Sequence, residues 1–218
     1  MLFDMDGTLI EFKFKIKESR IAMIDLLRQR GYETNDYSEN MRTQDIIDDA
    51  KHQWIKSKEL GQTDFSKLQK DLFKILDDFE FEAMKQSTPH PGSLSIVRKI
   101  KKAQMLTGVV TNSGRLPAES MLAEYGFMPY LSVLITRNEA PKMKPSPDGL
   151  LLATRELGVG ALDVLYVGDS ILDIEASRLA QVKCAAVPSG LYNAERLQKR
   201  SPDFMLRTID DLEKIVLF

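Results

Sequence analysis

Met1-Leu2-Phe3-Asp4-Met5-Asp6-Gly7-Thr8-Leu9 opens the chain. An apolar stretch runs into two carboxylates, and a Gly-Thr turn follows. At a strand end, residues two apart point into the same space. Asp4 and Asp6 then repel each other. A metal ion, or a division into base and acid, explains such a pair. The plainer alternative is an acidic turn bent at Asp6-Gly7. Three residues before Asp4 are few for a central strand, which usually runs about five or six. That strand is either clipped or begins upstream of Met1.

The 218 residues are 43% hydrophobic and 28% charged, an ordinary globular composition. The length suits one large domain, or one domain carrying a smaller insert. A formal charge of −2 with no long basic block argues against a nucleic-acid partner. No apolar run reaches membrane-spanning length, and no basic-then-apolar leader opens the chain. The single cysteine, Cys184, excludes an internal disulfide framework and any multi-cysteine zinc site. A reducing, cytoplasmic setting is the expectation.

Beyond the opening stretch the chain has two textures. Residues 17 to about 87 read as helix throughout. Ile21, Ile24 and Leu27, then Ile46 and Ile47, then Phe65, Leu68, Leu72, Ile75, Leu76 and Phe79 recur at helical spacing. Gly31 closes the first helix, and Gly61-Gln62-Thr63-Asp64 breaks and recaps the last. Thr88-Pro89-His90-Pro91-Gly92 reads as a rigid linker. After it, candidate strands at 106–110, 133–136, 164–167, 184–187 and 204–206 alternate with candidate helices. Those helices lie at 93–102, 116–125, 147–157, 171–180 and 209–216. This alternation predicts a doubly wound, mainly parallel α/β sheet that includes Met1-Leu2-Phe3, with an all-helical insert.

In such sheets ligands bind beyond the carboxyl ends of the strands. Four strand ends deliver polar groups to that edge: Asp4 and Asp6; Thr111, Asn112 and Ser113; Lys144; and Gly168, Asp169, Ser170 and Asp173. Asp4 suits attack on phosphorus as a carboxylate nucleophile. Asp6 suits protonation of the leaving oxygen and then activation of water. Thr111 and the N–H groups after it suit phosphate oxygens, with Pro117 in the first turn of the next helix. Lys144 offers a point charge to the phosphate and to Asp4. Asp4 and Asp169 suit a hard cation such as Mg²⁺.

The chain is similar to the haloacid dehalogenase superfamily of phosphohydrolases. Asp4-Met5-Asp6-Gly7-Thr8-Leu9 matches its first motif and Thr111-Asn112-Ser113 its second. Lys144-Pro145-Ser146-Pro147-Asp148 resembles the lysine motif of the phosphoglycolate phosphatase-like branch. Gly168-Asp169-Ser170-Ile171-Leu172-Asp173 matches the fourth motif, and all four stand in family order. The resemblance implies a Rossmann-like core from residues 1–13 and 88–218, with a type 1 helical cap from residues 14–87 that closes over the active site. His90-Pro91-Gly92 stands where that branch re-enters its core.

By the same resemblance, Asp4 is the nucleophile and Asp6 the acid/base. Thr111, Asn112 and Lys144 hold the phosphate. Mg²⁺ is held by Asp4, the Asp6 carbonyl and Asp169, with Asp173 nearby. Lys142 is the lesser lysine candidate, because only Lys144 precedes Pro-x-Pro. The presence of Asp6 argues against dehalogenase chemistry. The implied activity is a Mg²⁺-dependent phosphatase for a small phosphorylated metabolite, phosphoglycolate by default, acting through an aspartyl-phosphate as a monomer or homodimer. A phosphomutase of the β-phosphoglucomutase type and a pyrophosphatase are alternatives. A non-catalytic binding protein would require a lost catalytic residue, and none is lost.

Glu11-Phe12-Lys13-Phe14-Lys15-Ile16-Lys17 departs from many relatives by alternating with period two. It reads as an edge segment kept soluble by its lysines, or as a flap that attracts an anionic substrate. Trp54 is expected in the core of the helical insert or against the main domain, and His52 on its surface. Arg42 is the one charged cap candidate for substrate contact. His90 is expected in a turn, and Cys184 in a buried strand.

Overall fold

The computed structural model describes residues 1–11, 13–57, 60 and 64–216. The chain forms two compact units, Met1–Phe12 with Gln86–Phe218, and Lys13–Lys85. The first elements in chain order are β1 (Leu2–Phe3), β2 (Ile10–Glu11), α1 (Ile16–Gln29), α2 (Thr43–Lys56), α3 (Phe65–Met84), β3 (Thr88–Pro89) and α4 (Ser93–Lys102). Then come β4 (Gly108–Val110), α5 (Arg115–Glu124), β5 (Val133–Ile135), α6 (Asp148–Leu157), β6 (Leu165–Gly168) and α7 (Ile171–Ala180). The chain closes with β7 (Lys183–Ala186), α8 (Ala194–Gln198), β8 (Phe204–Met205) and α9 (Leu212–Val216).

Among the described residues six strands form one sheet in the order β5-β4-β1-β6-β7-β8, and every pairing is parallel. β1 lies between β4 and β6, so the strand order reverses direction beside it. That reversal makes the crevice in which α/β sheets place their ligands. Leu2 and Phe3 point to opposite faces, and both are fully buried, so helices and loops cover both sides. α6 packs on β4 and β5, and α7 on β6 and β7.

The short first strand is held by more than its two residues. Gly108 N donates to the Met1 carbonyl at 3.0 Å, and Asp4 N donates to the Val167 carbonyl at 2.8 Å. The ladder thus runs up to the residue that carries the first carboxylate.

Helices α4 and α7 lie where helical spacing places them. The other strand readings shift by a residue or two. The segment 106–110 pairs only from Gly108, because Leu106 is exposed at the edge of the core. The stretch 88–92 is more than a linker, since β3 pairs antiparallel with β2. Two-residue strands carry no periodicity, which hides them in the sequence. The alternation over 11–17 does not make a strand beyond Glu11. Lys13, Lys15 and Lys17 are exposed, and α1 begins at Ile16, where helical spacing toward Met23 and Leu27 takes over. Phe12 and Gly61-Gln62-Thr63 lie outside the described residues. The capping residue Asp64 accepts from Ser66 N at 2.9 Å.

In the helical unit, residues 30–42 separate α1 from α2, a longer break than the closure expected at Gly31. Gly31 at φ +81° ends α1. Its N–H bonds the Arg28 carbonyl, and the Tyr32 N–H reaches back to Leu27. This left-handed closure satisfies the last carbonyls and favours glycine. Gln53 then clips the loop to α2, accepting from Glu33 N and donating to Glu33 O, each at 2.9 Å. Met23, Ile24, Leu27, Ile46, Leu68, Leu72 and Leu76 form the buried core of this unit. Ile21 instead faces solvent, 47% exposed. Trp54 packs on Phe65 with ring centroids 5.7 Å apart, and His52 is exposed.

A Cβ at Gly31 would meet nothing within 4 Å, so Gly31→Ala isolates the backbone cost. Trp54 is the sole tryptophan and reports on this unit. Urea unfolding followed by its fluorescence is expected to show a loss of about 1 kcal/mol for Gly31→Ala. An unchanged midpoint contradicts the left-handed closure.

Candidate active site

Strand ends bring Asp4, Asp6, Thr111, Asn112, Asp169 and Asp173 to one edge of the sheet, with Lys144 on the loop between β5 and α6. Asp4 follows β1 and is 6% exposed. Its Oδ1 accepts from Lys144 Nζ at 2.6 Å. The same ammonium donates to Asp173 Oδ1 at 2.6 Å and to the Tyr166 hydroxyl at 2.8 Å. Three N–H groups are therefore matched by three close acceptors.

Lys144 is held from its backbone as well. Its N–H donates to Asn112 Oδ1 at 2.8 Å, and its carbonyl accepts from Asn112 Nδ2 at 3.1 Å. The Asn112 amide is used in both directions on this loop. Lys142, the lesser candidate, is exposed.

Asp6 stands apart from the lysine cluster. Its Oδ2 accepts from Ser113 Oγ at 2.6 Å and from Thr111 Oγ1 at 3.1 Å. Thr111 Oγ1 in turn accepts from Ser113 N at 3.0 Å. The Thr111 hydroxyl is thus engaged with a carboxylate. Asp6 Oδ1 is buried and has no hydrogen-bond partner among the described residues. Burial raises the pKa of Asp6 against the opposing pull of Ser113 and Thr111. One anchored and one free oxygen on Asp6 is the form of a general acid.

Asp169 follows β6 and is 4% exposed. Thr8 Oγ1 donates to its Oδ1 at 3.1 Å. Two glycines admit its carboxylate. A Cβ on Gly7, at φ +87°, would lie 2.5 Å from Asp169 Oδ2, and one on Gly190 only 1.7 Å away. Asp173 is fully buried, and its Oδ2 accepts from Ser170 N at 3.0 Å in the capping box of α7.

Carboxylate oxygens of Asp4, Asp169 and Asp173 all lie within 4.8 Å of one another. Burial raises the pKa of Asp4 well above its ordinary value, Lys144 opposes this, and Asp173 adds to it. Burial and then Asp173 push Asp169 up to about 7. Burial works against charge on Lys144, yet Asp173 and Asp4 overcome it and hold its pKa above the ordinary value. The cluster carries more negative charge than its lysine answers.

Sequence reasoning gave no role to Tyr166, Thr8, Gly190, Arg137 or the Ser113 hydroxyl. Tyr166 had a signal, a polar tip inside an apolar strand. Arg137 is 2% exposed just past β5, and its guanidinium donates to the Asn112 carbonyl at 3.1 Å. His90 N donates to the Leu9 carbonyl at 2.9 Å beside the first motif. Arg42 pairs with Asp45 on the surface at 2.8 Å. Cys184 is a buried residue of β7.

The profile of the haloacid dehalogenase-like hydrolases matches residues 1–187. The chain belongs to that family. It is similar to an N-acetylmuramic acid 6-phosphate phosphatase of Pseudomonas aeruginosa, 30% identical over 196 residues, which cover 89% of this chain and 84% of that protein. A phosphoglycolate phosphatase of Nitrosococcus oceani is 26% identical over 132 residues, 61% of this chain and 59% of that protein. The solved structure of a haloacid dehalogenase-like hydrolase from Bacteroides fragilis superposes with a TM-score of 0.67 at 22% identity, covering 97% of each chain. This haloacid dehalogenase-like hydrolase is a phosphatase, acting on phosphoric monoesters. No helix among its described residues is long and apolar enough to cross a membrane.

An acid whose pKa is higher folded than unfolded destabilises the fold once it must ionise. For Asp169 that cost is absent below 3.8, grows as pH rises, and is complete above about 7. Without divalent cations, the stability of the native chain relative to Asp169→Asn should fall by roughly 2–4 kcal/mol across that window. Urea unfolding in chelator at several pH values measures it. A flat difference contradicts the buried, raised carboxylate.

Proposed function

We propose that the chain is a Mg²⁺-dependent phosphatase of small phosphate monoesters that works through a phosphorylated Asp4. The observation that carries this reading is the division of labour between the two motif carboxylates. Asp4 Oδ1 accepts from the Lys144 ammonium at 2.6 Å, which favours its carboxylate against the opposing effect of burial, while Asp6 is anchored by Ser113 and Thr111 through Oδ2 and keeps Oδ1 free. One suits nucleophilic attack and the other suits proton transfer.

In the first step an Asp4 oxygen attacks phosphorus in line, and Asp6 gives its proton to the departing alkoxide. In the second step Asp6, now a carboxylate, takes a proton from water, which attacks the phosphoryl group and frees Asp4. Ser113 and Thr111 donate to Asp6 Oδ2 and aim Oδ1. Lys144 offsets charge on Asp4 and on the phosphate oxygens. Asn112 serves this reading by fixing the Lys144 loop, with Thr111, Asn112 and Lys144 together forming the phosphate side of the site.

The residues fit a divalent cation. The donors of Asp4, Asp169 and Asp173 are all hard oxygens. Three carboxylates against one ammonium leave two negative charges, which one such ion balances. Asp4, Asp169, Asp173 and the backbone carbonyl of Asp6 would hold it. When bound, Mg²⁺ supplies charge that lowers the repulsion between Asp4 and a phosphate dianion.

The helical unit, residues 14–87, is proposed as the cap that contributes to substrate choice. The substrate class proposed is a phosphorylated carboxylic acid, since both named relatives act on a phosphate of an organic acid. A cytoplasmic setting accords with such a metabolite.

Phosphate release tests this on N-acetylmuramic acid 6-phosphate, phosphoglycolate, glucose 6-phosphate and pyrophosphate, with Mg²⁺ and with chelator. Release is expected only with Mg²⁺, with the acid esters preferred about 10-fold in kcat/KM over glucose 6-phosphate. Asp4→Asn should lose at least about 10³-fold. No release from any ester overturns the reading. Pyrophosphate as the best substrate, or phosphoryl exchange between sugars, replaces the substrate class.

A further inference from the structure

Among the described residues Tyr166 is the largest side chain buried without residual exposure. Its ring lies in an apolar cluster with Leu2, Val110, Ile135, Val164 and Ala176. A hydroxyl placed there needs partners. It has three: Lys144 Nζ at 2.8 Å, the Val110 carbonyl at 3.0 Å and Asp173 Oδ1 at 3.0 Å.

The ammonium has three N–H groups but four acceptors in reach: Asp4 Oδ1 and Asp173 Oδ1 at 2.6 Å each, the Tyr166 hydroxyl at 2.8 Å, and the Val110 carbonyl at 3.3 Å. The hydroxyl accepts the third N–H, and its own hydrogen has two acceptors at 3.0 Å, the Val110 carbonyl and Asp173 Oδ1. Without it, the third N–H is left with the Val110 carbonyl as its acceptor. That carbonyl belongs to β4, so the exchange draws Nζ toward the sheet.

We propose that Tyr166 is a positioning residue for the reaction: its hydroxyl takes the N–H of Lys144 that would otherwise turn to the Val110 carbonyl, so the ammonium stays turned toward Asp4. The proposal rests on the phosphatase reading, in which Lys144 serves Asp4 and the phosphate. Tyr166 touches no reacting atom. It acts through the lysine, and the chemical step is where that shows, because charge leaves Asp4 there.

Steady-state kinetics of Tyr166→Phe, Lys144→Met and the double variant test it. Tyr166→Phe should lower kcat about 10-fold and move KM by less than about 2-fold. In the Lys144→Met background the same change should cost less than about 2-fold, because the residue through which it acts is gone. Val182→Ala, in the same apolar cluster, matches a loss of packing and should leave kcat unchanged.

An unchanged kcat in Tyr166→Phe overturns the proposal. So does a full 10-fold cost on top of Lys144→Met, which marks a general packing role. Native activity that survives Lys144→Met intact sinks the phosphatase reading instead, and this proposal with it. If the Phe variant does not fold, ¹⁵Nζ-lysine NMR of the native chain decides. A slowly exchanging ammonium with cross-relaxation to a tyrosine ring is expected, and its absence overturns the proposal.

Discussion

The Lys144 ammonium, wedged between Asp4 and Asp173 at 2.6 Å from each, is the constraint on which the site depends. All three side chains are almost wholly removed from water. Burying any one of them alone costs several kcal/mol, and their mutual attraction repays this only when the geometry is close. Together they are tolerated, but with an excess of negative charge. Burial first, and then that excess, raises the pKa values of Asp4 and Asp169. The same imbalance that burdens the fold makes the site receptive to a divalent cation.

Holding the lysine there takes contributions from three strands. Asn112 after β4 grips its backbone, Tyr166 on β6 takes an N–H, and Asp4 after β1 accepts another. β1 is only two residues long, yet backbone bonds at Met1 and Asp4 extend its hold on both neighbours. The loops after β1 and β7 approach Asp169 so closely that a Cβ on Gly7 or Gly190 would collide with its carboxylate. Packing density, as much as charge, therefore fixes where the carboxylates sit.

Much of the fold was legible because its signals are local. Ser170 caps α7 with Asp173 in reply, and α4 and α7 lie where helical spacing puts them. The apolar runs of the parallel strands stand out because both faces are buried. β2, β3 and α8 were not legible, being two, two and five residues long. At the site, residue types were readable but hydrogen-bond directions were not. Nothing in Thr111-Asn112-Ser113 says that Thr111 and Ser113 turn to Asp6 while Asn112 turns to the Lys144 backbone. Those partners stand about 30 to 110 residues away in sequence, and only the strand order β5-β4-β1 brings them together.

The central claim is that Asp4 becomes covalently phosphorylated. A single turnover in H₂¹⁸O, with enzyme in excess over substrate, tests it most directly. Water attacks phosphorus in the second step, so the account predicts that ¹⁸O enters the released phosphate and not Asp4 on the first turnover. Acid quenching before completion should trap phosphorylated Asp4, which borohydride reduces to homoserine with release of phosphate, and mass spectrometry finds the reduced residue at position 4. Turnover that releases labelled phosphate with no modified Asp4 at any quench time would mean direct attack by water, and would contradict the account.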